Sequence, residues 1–188
     1  MAKVRTPPEA WIAQGLRMLA AGGPDAVRVE TLAHALGVTK GGFYGHFADR
    51  AALLEEMLDT WERGVTDAMI EHVEGVAANQ DARTKLRRLF EAVDAVDDEA
   101  TLGVAVDLAI REWARRDAVI AERVGRVDNR QMAYLRSLFG EFCDDELEVE
   151  ARCLMTMSMR VGDHLIRADY SDRRRAEVMD RVSRQLLA

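Results

Sequence analysis

A sharp reversal between two short helices constrains this chain more than any other feature. Residues Val29–Arg50 read VETLAHALGVTKGGFYGHFADR. Leu32, Ala33 and Leu36 share one face at the spacing of a half-buried helix. Gly37 follows where the chain must turn, and glycine takes a positive φ at little steric cost. Val38 can plug the gap between the helices, and Thr39 is a good N-cap for the second one. That helix carries Lys40, Tyr44 and His46 outward and leaves Phe43 and Phe47, four apart, for a core. Asp49 reads as a further N-cap, with Arg50 just behind it.

These residues resemble the DNA-binding core of the TetR family of bacterial transcription regulators. The resemblance rests on Leu32-Ala33, Leu36-Gly37-Val38-Thr39, Phe43-Tyr44-Gly45-His46-Phe47 and Arg50. The rest of the chain fits only by length and helical pattern. The resemblance implies an all-α fold of nine helices: a three-helix helix-turn-helix head over 1–48, then a bundle over 49–188 for ligand binding and dimerisation.

A helix-turn-helix sets its second helix in the major groove, where each base pair shows a distinct donor and acceptor pattern. Lys40 can reach a guanine edge or a phosphate, and Gly41 and Gly42 leave backbone N–H groups open at the helix start. By resemblance, Tyr44 and His46 contact phosphates and Arg50 holds the DNA backbone. Thr39 can donate to a phosphate from its cap position. Arg28 cannot cap, and reads as a groove or phosphate contact. Tyr44 has a second reading, as core packing with its hydroxyl outward. Gly42 and Gly45 depart from the family, which has larger side chains there. Each glycine costs the helix about 0.5–1 kcal/mol relative to alanine. Specificity then falls more on Lys40, Arg28 and DNA shape.

The net charge of −7 looks wrong for a DNA binder until it is located. Residues 1–50 carry six basic side chains (Lys3, Arg5, Arg17, Arg28, Lys40, Arg50) against four acids (Glu9, Asp25, Glu30, Asp49). The excess of acid lies wholly beyond Arg50, and affinity for DNA depends on charge near the phosphates. No apolar run approaches the ~20 residues that cross a bilayer, and MAKVRTPPEA has no apolar signal core. Both point to the cytoplasm, without a membrane partner. Cys143 and Cys153 lack CxxC spacing and a partner histidine, so they read as small packed thiols, with a redox pair as the alternative. Neither a metal nor a cofactor is expected.

Thr6-Pro7-Pro8-Glu9 reads as a capping box opening a first helix with Ile12, Leu16 and Leu19 inward, ended by Gly22-Gly23-Pro24. A long helix from Asp49 to Gly75 follows, then a break at Asn79-Gln80-Asp81. Leu86, Leu89, Phe90, Val93 and Val96 mark a helix closed by Asp97-Asp98-Glu99. Helices over 102–116 and 117–142 come next. Residues 146–168 carry the stripe Leu147, Ala151, Leu154, Ser158, Val161, Leu165. A turn at Tyr170-Ser171-Asp172 precedes the last helix.

One small head binds weakly, and the family resemblance implies a homodimer on a palindromic operator in double-stranded DNA. The last two helices would form the interface through Leu154, Val161, Leu165, Val178, Val182 and Leu186; some of these must instead close the monomer core. The resemblance also implies a small-molecule effector of unknown identity. Met57, Trp61, Phe90, Trp113, Met132, Met155 and Met159 are adaptable apolar candidates for its pocket, or ordinary core. Asp107 and Arg111, or Arg160, Asp163 and His164, could orient a polar group of that effector, or form plain ion pairs. No catalytic constellation is evident, so an enzyme is not expected. The leading expectation is a dimeric repressor released by a ligand. The alternative is a TetR-fold protein–protein adaptor that no longer binds DNA. The glycines predict a recognition helix that is loose alone and firms on DNA. Amide exchange over residues 40–47 should be fast in the free protein; slow exchange there would contradict this.

Overall fold

The computed structural model describes residues 6–77, 80–94, 98–167, 169 and 173–188, with backbone alone at 92–94, 98–101 and 163. The turn expected at Tyr170-Ser171-Asp172, and Asn79, Val96 and Asp97 of the other readings, lie outside the described residues; so do the side chains of Val93 and Asp163. All regular structure among the described residues is helical. Contacts divide the chain into two compact units: Met1–Val65 with Thr101–Gly125, and Thr66–Ala100 with Arg126–Ala188.

The first unit begins with α1 (Pro8–Gly22). A proline takes the first helical position, but it is Pro8 in place of the Pro7 that the capping box implies: Pro7 is the N-cap and no side chain caps the helix. A residue before proline is forced into extended backbone, so Thr6 stands one place too early for the capping box. The buried face of α1 is Trp11, Gly15 and Leu19, with Ile12 and Leu16 at its margins. Gly15 lets the segment around Met57 come close: a Cβ there would lie 2.6 Å from Met57 Sδ. Gly23, with φ +70°, ends the helix and donates its N–H to Leu19 O at 2.8 Å.

Helix α2 (Val29–Ala35) and α3 (Lys40–Phe43) form the expected hairpin. Gly37 has φ +65°. The N–H groups of Gly37 and Val38 return to the carbonyls of His34 and Ala33, at 3.1 and 2.9 Å. That is a Schellman closure, which a left-handed residue makes possible. Helix α3 is shorter than expected. Phe43 is its last residue, and Tyr44, Gly45 and His46 form turns. Thr39 holds the N-cap place without a side-chain hydrogen bond. Gly41, Gly42 and Gly45 deprive this segment of helix propensity. Phe43 anchors it: fully buried, it meets Trp11 edge-on at 5.5 Å and Phe47 at 5.3 Å.

Asp49 caps α4 (Arg50–Glu62) by accepting the Ala52 N–H at 2.8 Å. The helix expected over 49–75 is continuous but widens to a π-turn at Arg63–Ala68 before α5 (Met69–Val76). Leu53, Met57, Leu58 and Trp61 are buried along α4. Helix α7 (Asp98–Ala114) buries Val106 and Ile110. Asp98 and Glu99, expected to close the helix before it, lie within α7. Asp117 caps α8 (Ala118–Phe139) through the N–H groups of Val119 and Ile120.

In the second unit, α6 (Ala82–Asp94) starts on Asp81, which accepts the Thr84 N–H. Helix α9 (Glu146–Leu165) starts on Asp145, and α10 (Arg175–Leu186) closes the unit. Val73, Leu86, Leu89, Phe90, Leu135, Phe139, Cys153 and Leu186 share one core. Helix α9 buries Val149, Cys153 and Thr156. The stripe from Leu147 to Leu165 faces the other way.

Alanine at position 37 must adopt left-handed backbone, at a cost of about 1–2 kcal/mol. Alanine at position 42 places its Cβ 3.6 Å from Trp11 Cζ2, an ordinary contact, and favours helix by about 1 kcal/mol. Thermal unfolding should therefore show a lower Tm for Gly37→Ala and a higher one for Gly42→Ala.

Candidate nucleic-acid interface and ligand cavity

The residues around α3 separate into an outward and an inward set. Thr39, Lys40, Gly41 and Tyr44 are exposed. Lys40 and Tyr44 lie one helical turn apart. Tyr44 is 60% exposed, and its ring stands perpendicular to that of Phe43 at 5.2 Å between centroids. Lys40 Nζ pairs with Glu30 Oε1 at 2.5 Å. The Lys40 hydrogen bond holds the Glu30 carboxyl below the usual carboxylate range. Both side chains are more than half exposed, so the pair is weak and can open.

Two expected outward residues turn in. His46 is half-buried, and its Nε2 has no hydrogen-bond partner among the described residues. It lines a groove of about 530 Å³ with Pro8, Glu9 and Ile12 of α1 and Ala52, Glu56 and Thr60 of α4. Arg50 donates its Nε to Val27 O at 2.6 Å and an NH2 to Pro24 O. It ties the turn before α2 to the start of α4. Arg28 is exposed at the N-cap of α2, with Nε donating to Asp25 O at 3.2 Å. Gly42 lies half-buried over Trp11.

The expected pocket residues divide between the two units. Met57 and Trp61 are core of the first unit, with Trp113 half-buried there. Asp107, 2% exposed, accepts from Trp61 Nε1 at 3.1 Å and from Arg111 Nε at 3.0 Å. This is the plain ion-pair reading of Asp107 and Arg111. Nearby, Arg123 is held by Glu55, Asp59 and Glu62 of α4.

Phe90 and Met159 do line a cavity, in the second unit, of about 30 Å³. Met69 of α5, Leu89 of α6 and Gln131, Tyr134 and Leu135 of α8 contribute to its wall. Helix α9 adds Thr156, Met157 and Arg160. Met132 is half-buried against the same core, and Met155 is 48% exposed on α9. Sequence reasoning missed Gln131. Its signal is a polar residue four from both Val127 and Leu135 in an otherwise apolar row.

Helix α9 leaves large apolar groups uncovered. Leu147, Leu154 and Leu165 are more than 60% exposed, with Ala151 and Val161 half-buried in the same row. The spacing alternates four and three, the pattern of a helix–helix seam. Val178 and Val182 of α10 are half-buried. Leu186 is a correction to the expected interface: it is 5% exposed and belongs to the core of its own unit, because the last turn of α10 packs inward.

Glu74 links two elements of that unit, accepting from Lys85 Nζ at 2.6 Å and Tyr134 Oη at 2.9 Å. The Lys85 hydrogen bond holds the Glu74 carboxyl below its ordinary range, with Tyr134 helping and burial opposing. Burial and the Glu74 bond push the Tyr134 phenol up. A depressed carboxylate stabilises the fold above its unfolded pKa and loses that contribution as pH falls through the folded one. Glu74→Gln should therefore lower Tm at neutral pH, and the difference from wild type should close as pH drops below about 4.

Residues 12–57 match the family model described as bacterial regulatory proteins, tetR family. No curated protein matches the chain. Solved structures do. A transcriptional regulator from Rhodococcus sp. Rha1 is 18% identical, with a TM-score of 0.74 over 97% of this chain and 94% of that one. A transcriptional regulator from Saccharomonospora viridis, in complex with choline, is 16% identical, with a TM-score of 0.72 over 95% and 92%. The fatty acid degradation regulator FadR from Bacillus halodurans is 17% identical, with a TM-score of 0.69 over 99% and 97%. At these identities the likeness is one of fold, and it spans nearly the full length of each chain.

Proposed function

We propose that the chain is a regulator of the tetR family, on the match of its residues 12–57, and that it is a dimeric, DNA-binding transcription repressor released by a small ligand. The observation that carries the reading is the exposed pair Lys40 and Tyr44, rooted on Phe43 against the buried Trp11. A cation and a phenol one turn apart, at the free surface of a short second helix, suit a phosphate backbone and a groove edge. Arg28 and Thr39 extend that surface. Arg50 acts differently, by fixing the segment from behind through the carbonyls of Val27 and Pro24. Such a regulator works in the bacterial cytoplasm, beside the chromosome.

Dimerisation is supported by the α9 stripe of Leu147, Leu154, Val161 and Leu165, with Val178 and Val182 of α10 beside it in the sequence-based assignment. Two heads related by a two-fold axis read a palindrome. The choline complex of one structural relative supports a ligand-responsive reading. A ligand that prefers the conformation with the wrong head spacing would shift the population off the operator. The second reading is the adaptor that no longer binds DNA. It is favoured by the four-residue α3 and by the pairing of Lys40 with Glu30.

Selection from random duplex DNA separates the two. The repressor reading requires enrichment of an inverted repeat and a loss of about 1–3 kcal/mol in affinity for Lys40→Ala and for Tyr44→Ala. In the same assay Leu154→Glu should yield a monomer that binds the repeat far more weakly. No enrichment even at low salt selects the adaptor.

A further inference from the structure

A carboxylate stands on the surface proposed for DNA, beside its lysine. Glu30, in the first turn of α2, has Oε1 2.5 Å from Nζ of Lys40 at the start of α3. Its side chain is 63% exposed, and that of Lys40 56%. Phosphates repel a negative charge, so an acid here weakens binding to every sequence unless a donor on the DNA meets it. The two groups have room for such partners. An ammonium carries three N–H donors, and the bond to Glu30 uses one. An ionised carboxylate has about four lone-pair sites. Lys40, the Glu30 N–H and the nearby charge of Arg28 keep this one ionised, so it accepts and never donates.

In the major groove the edge of a G·C pair runs acceptor, acceptor, donor: guanine N7, guanine O6, cytosine N4. O6 and N4 are bonded to each other at about 2.9 Å, close to the separation of the Lys40 and Glu30 charges. With the ammonium over N7 and O6 and the carboxylate over the free N4–H, each charge meets its complement. The edge of an A·T pair runs acceptor, donor, acceptor. A carboxylate on adenine N6 has an acceptor on either flank, and the ammonium covers only one of them.

We propose that Glu30 and Lys40 together read one G·C base pair in each half of the operator, Lys40 on guanine N7 and O6 and Glu30 on cytosine N4. The assignment rests on the DNA-binding reading and names the base pair that its surface selects. Repulsion of Glu30 by the phosphates is offset at cytosine alone, so this residue contributes selectivity in place of affinity. Lys40 keeps a further N–H for a backbone phosphate.

Selection from random duplex DNA with the full chain, followed by competition binding, tests it. Wild type is expected to fix one G·C position in each half of its repeat, with A·T there bound about tenfold more weakly. Glu30→Ala should cut that preference by about fivefold, while binding duplex of random sequence more tightly. Methylating N4 of that cytosine removes the N–H that faces the groove and leaves the base pair intact. The methylated operator should lose about tenfold in affinity for wild type and nothing in affinity for Glu30→Ala. Methylation compares two DNAs on the wild-type protein, so it decides even if the variant fails to fold. A base preference unchanged in Glu30→Ala, or full wild-type affinity for the methylated operator, overturns the proposal. So does uniform tightening on every duplex in Glu30→Ala, which makes Glu30 a repelling charge and no reader. A repeat enriched without a position that depends on Glu30 refutes this assignment and leaves the DNA-binding reading standing. No enrichment of any repeat refutes both.

Discussion

Phe43 and Trp11 hold the head together. A four-residue helix containing two glycines has almost no intrinsic tendency to form, since nucleation costs more than so short a ladder returns. Its geometry is supplied from outside, by an aromatic side chain driven into a pocket made by α1. Once Phe43 is seated, Tyr44 must lie against its edge and Lys40 must stand one turn back at the surface. Arg50 tightens the same arrangement by bonding to the carbonyls of Pro24 and Val27, which fixes the approach to α2. The candidate DNA surface is thus a consequence of packing beneath it, and the few exposed side chains inherit their positions.

Electrostatics refine that surface without creating it. The acid excess of the chain lies beyond residue 50, yet one acid, Glu30, sits beside Lys40 and pairs with it. Exposed pairs of this kind contribute little to stability. On the proposed reading, the pair orients Lys40 while the surface is empty and opens when a phosphate competes. Buried polar groups in the body follow a stricter logic. Asp107 is nearly inaccessible, and the indole N–H of Trp61 and the guanidinium of Arg111 satisfy it.

Helix α9 divides its residues between two tasks. Val149, Cys153 and Thr156 face the core of their own unit, while Leu147, Leu154 and Leu165 face solvent. A single chain that leaves three leucines in one exposed row carries an apolar face that a second helix could cover. The same helix brings Met157, Met159 and Arg160 to the cavity wall. A seam and a cavity on opposite sides of one helix give the proposed regulator a direct physical route between what it binds and how its copies meet.

The sequence by itself determined the hairpin. Gly37, the spacing of Leu32 and Ala33, the pair Phe43 and Phe47, and the Asp49 cap depend on local backbone geometry and on which side chains avoid water, and both are written in neighbouring residues. The all-helical character followed from periodicity in the same way. Which face of a helix looks inward did not. The stripe of α9 reads as an amphipathic face whether it meets a core or a partner, and only the position of Val149 and Cys153 against Phe139 and Leu186 decided it. Trp11 replaced Ile12 and Leu16 as the centre of α1 for a similar reason, since a small residue at Gly15 let Met57 approach on that side. Tertiary structure alone also placed the cavity. Met69, Gln131 and Arg160 are far apart in the chain, and no local pattern encodes the distance between side chains on three different helices.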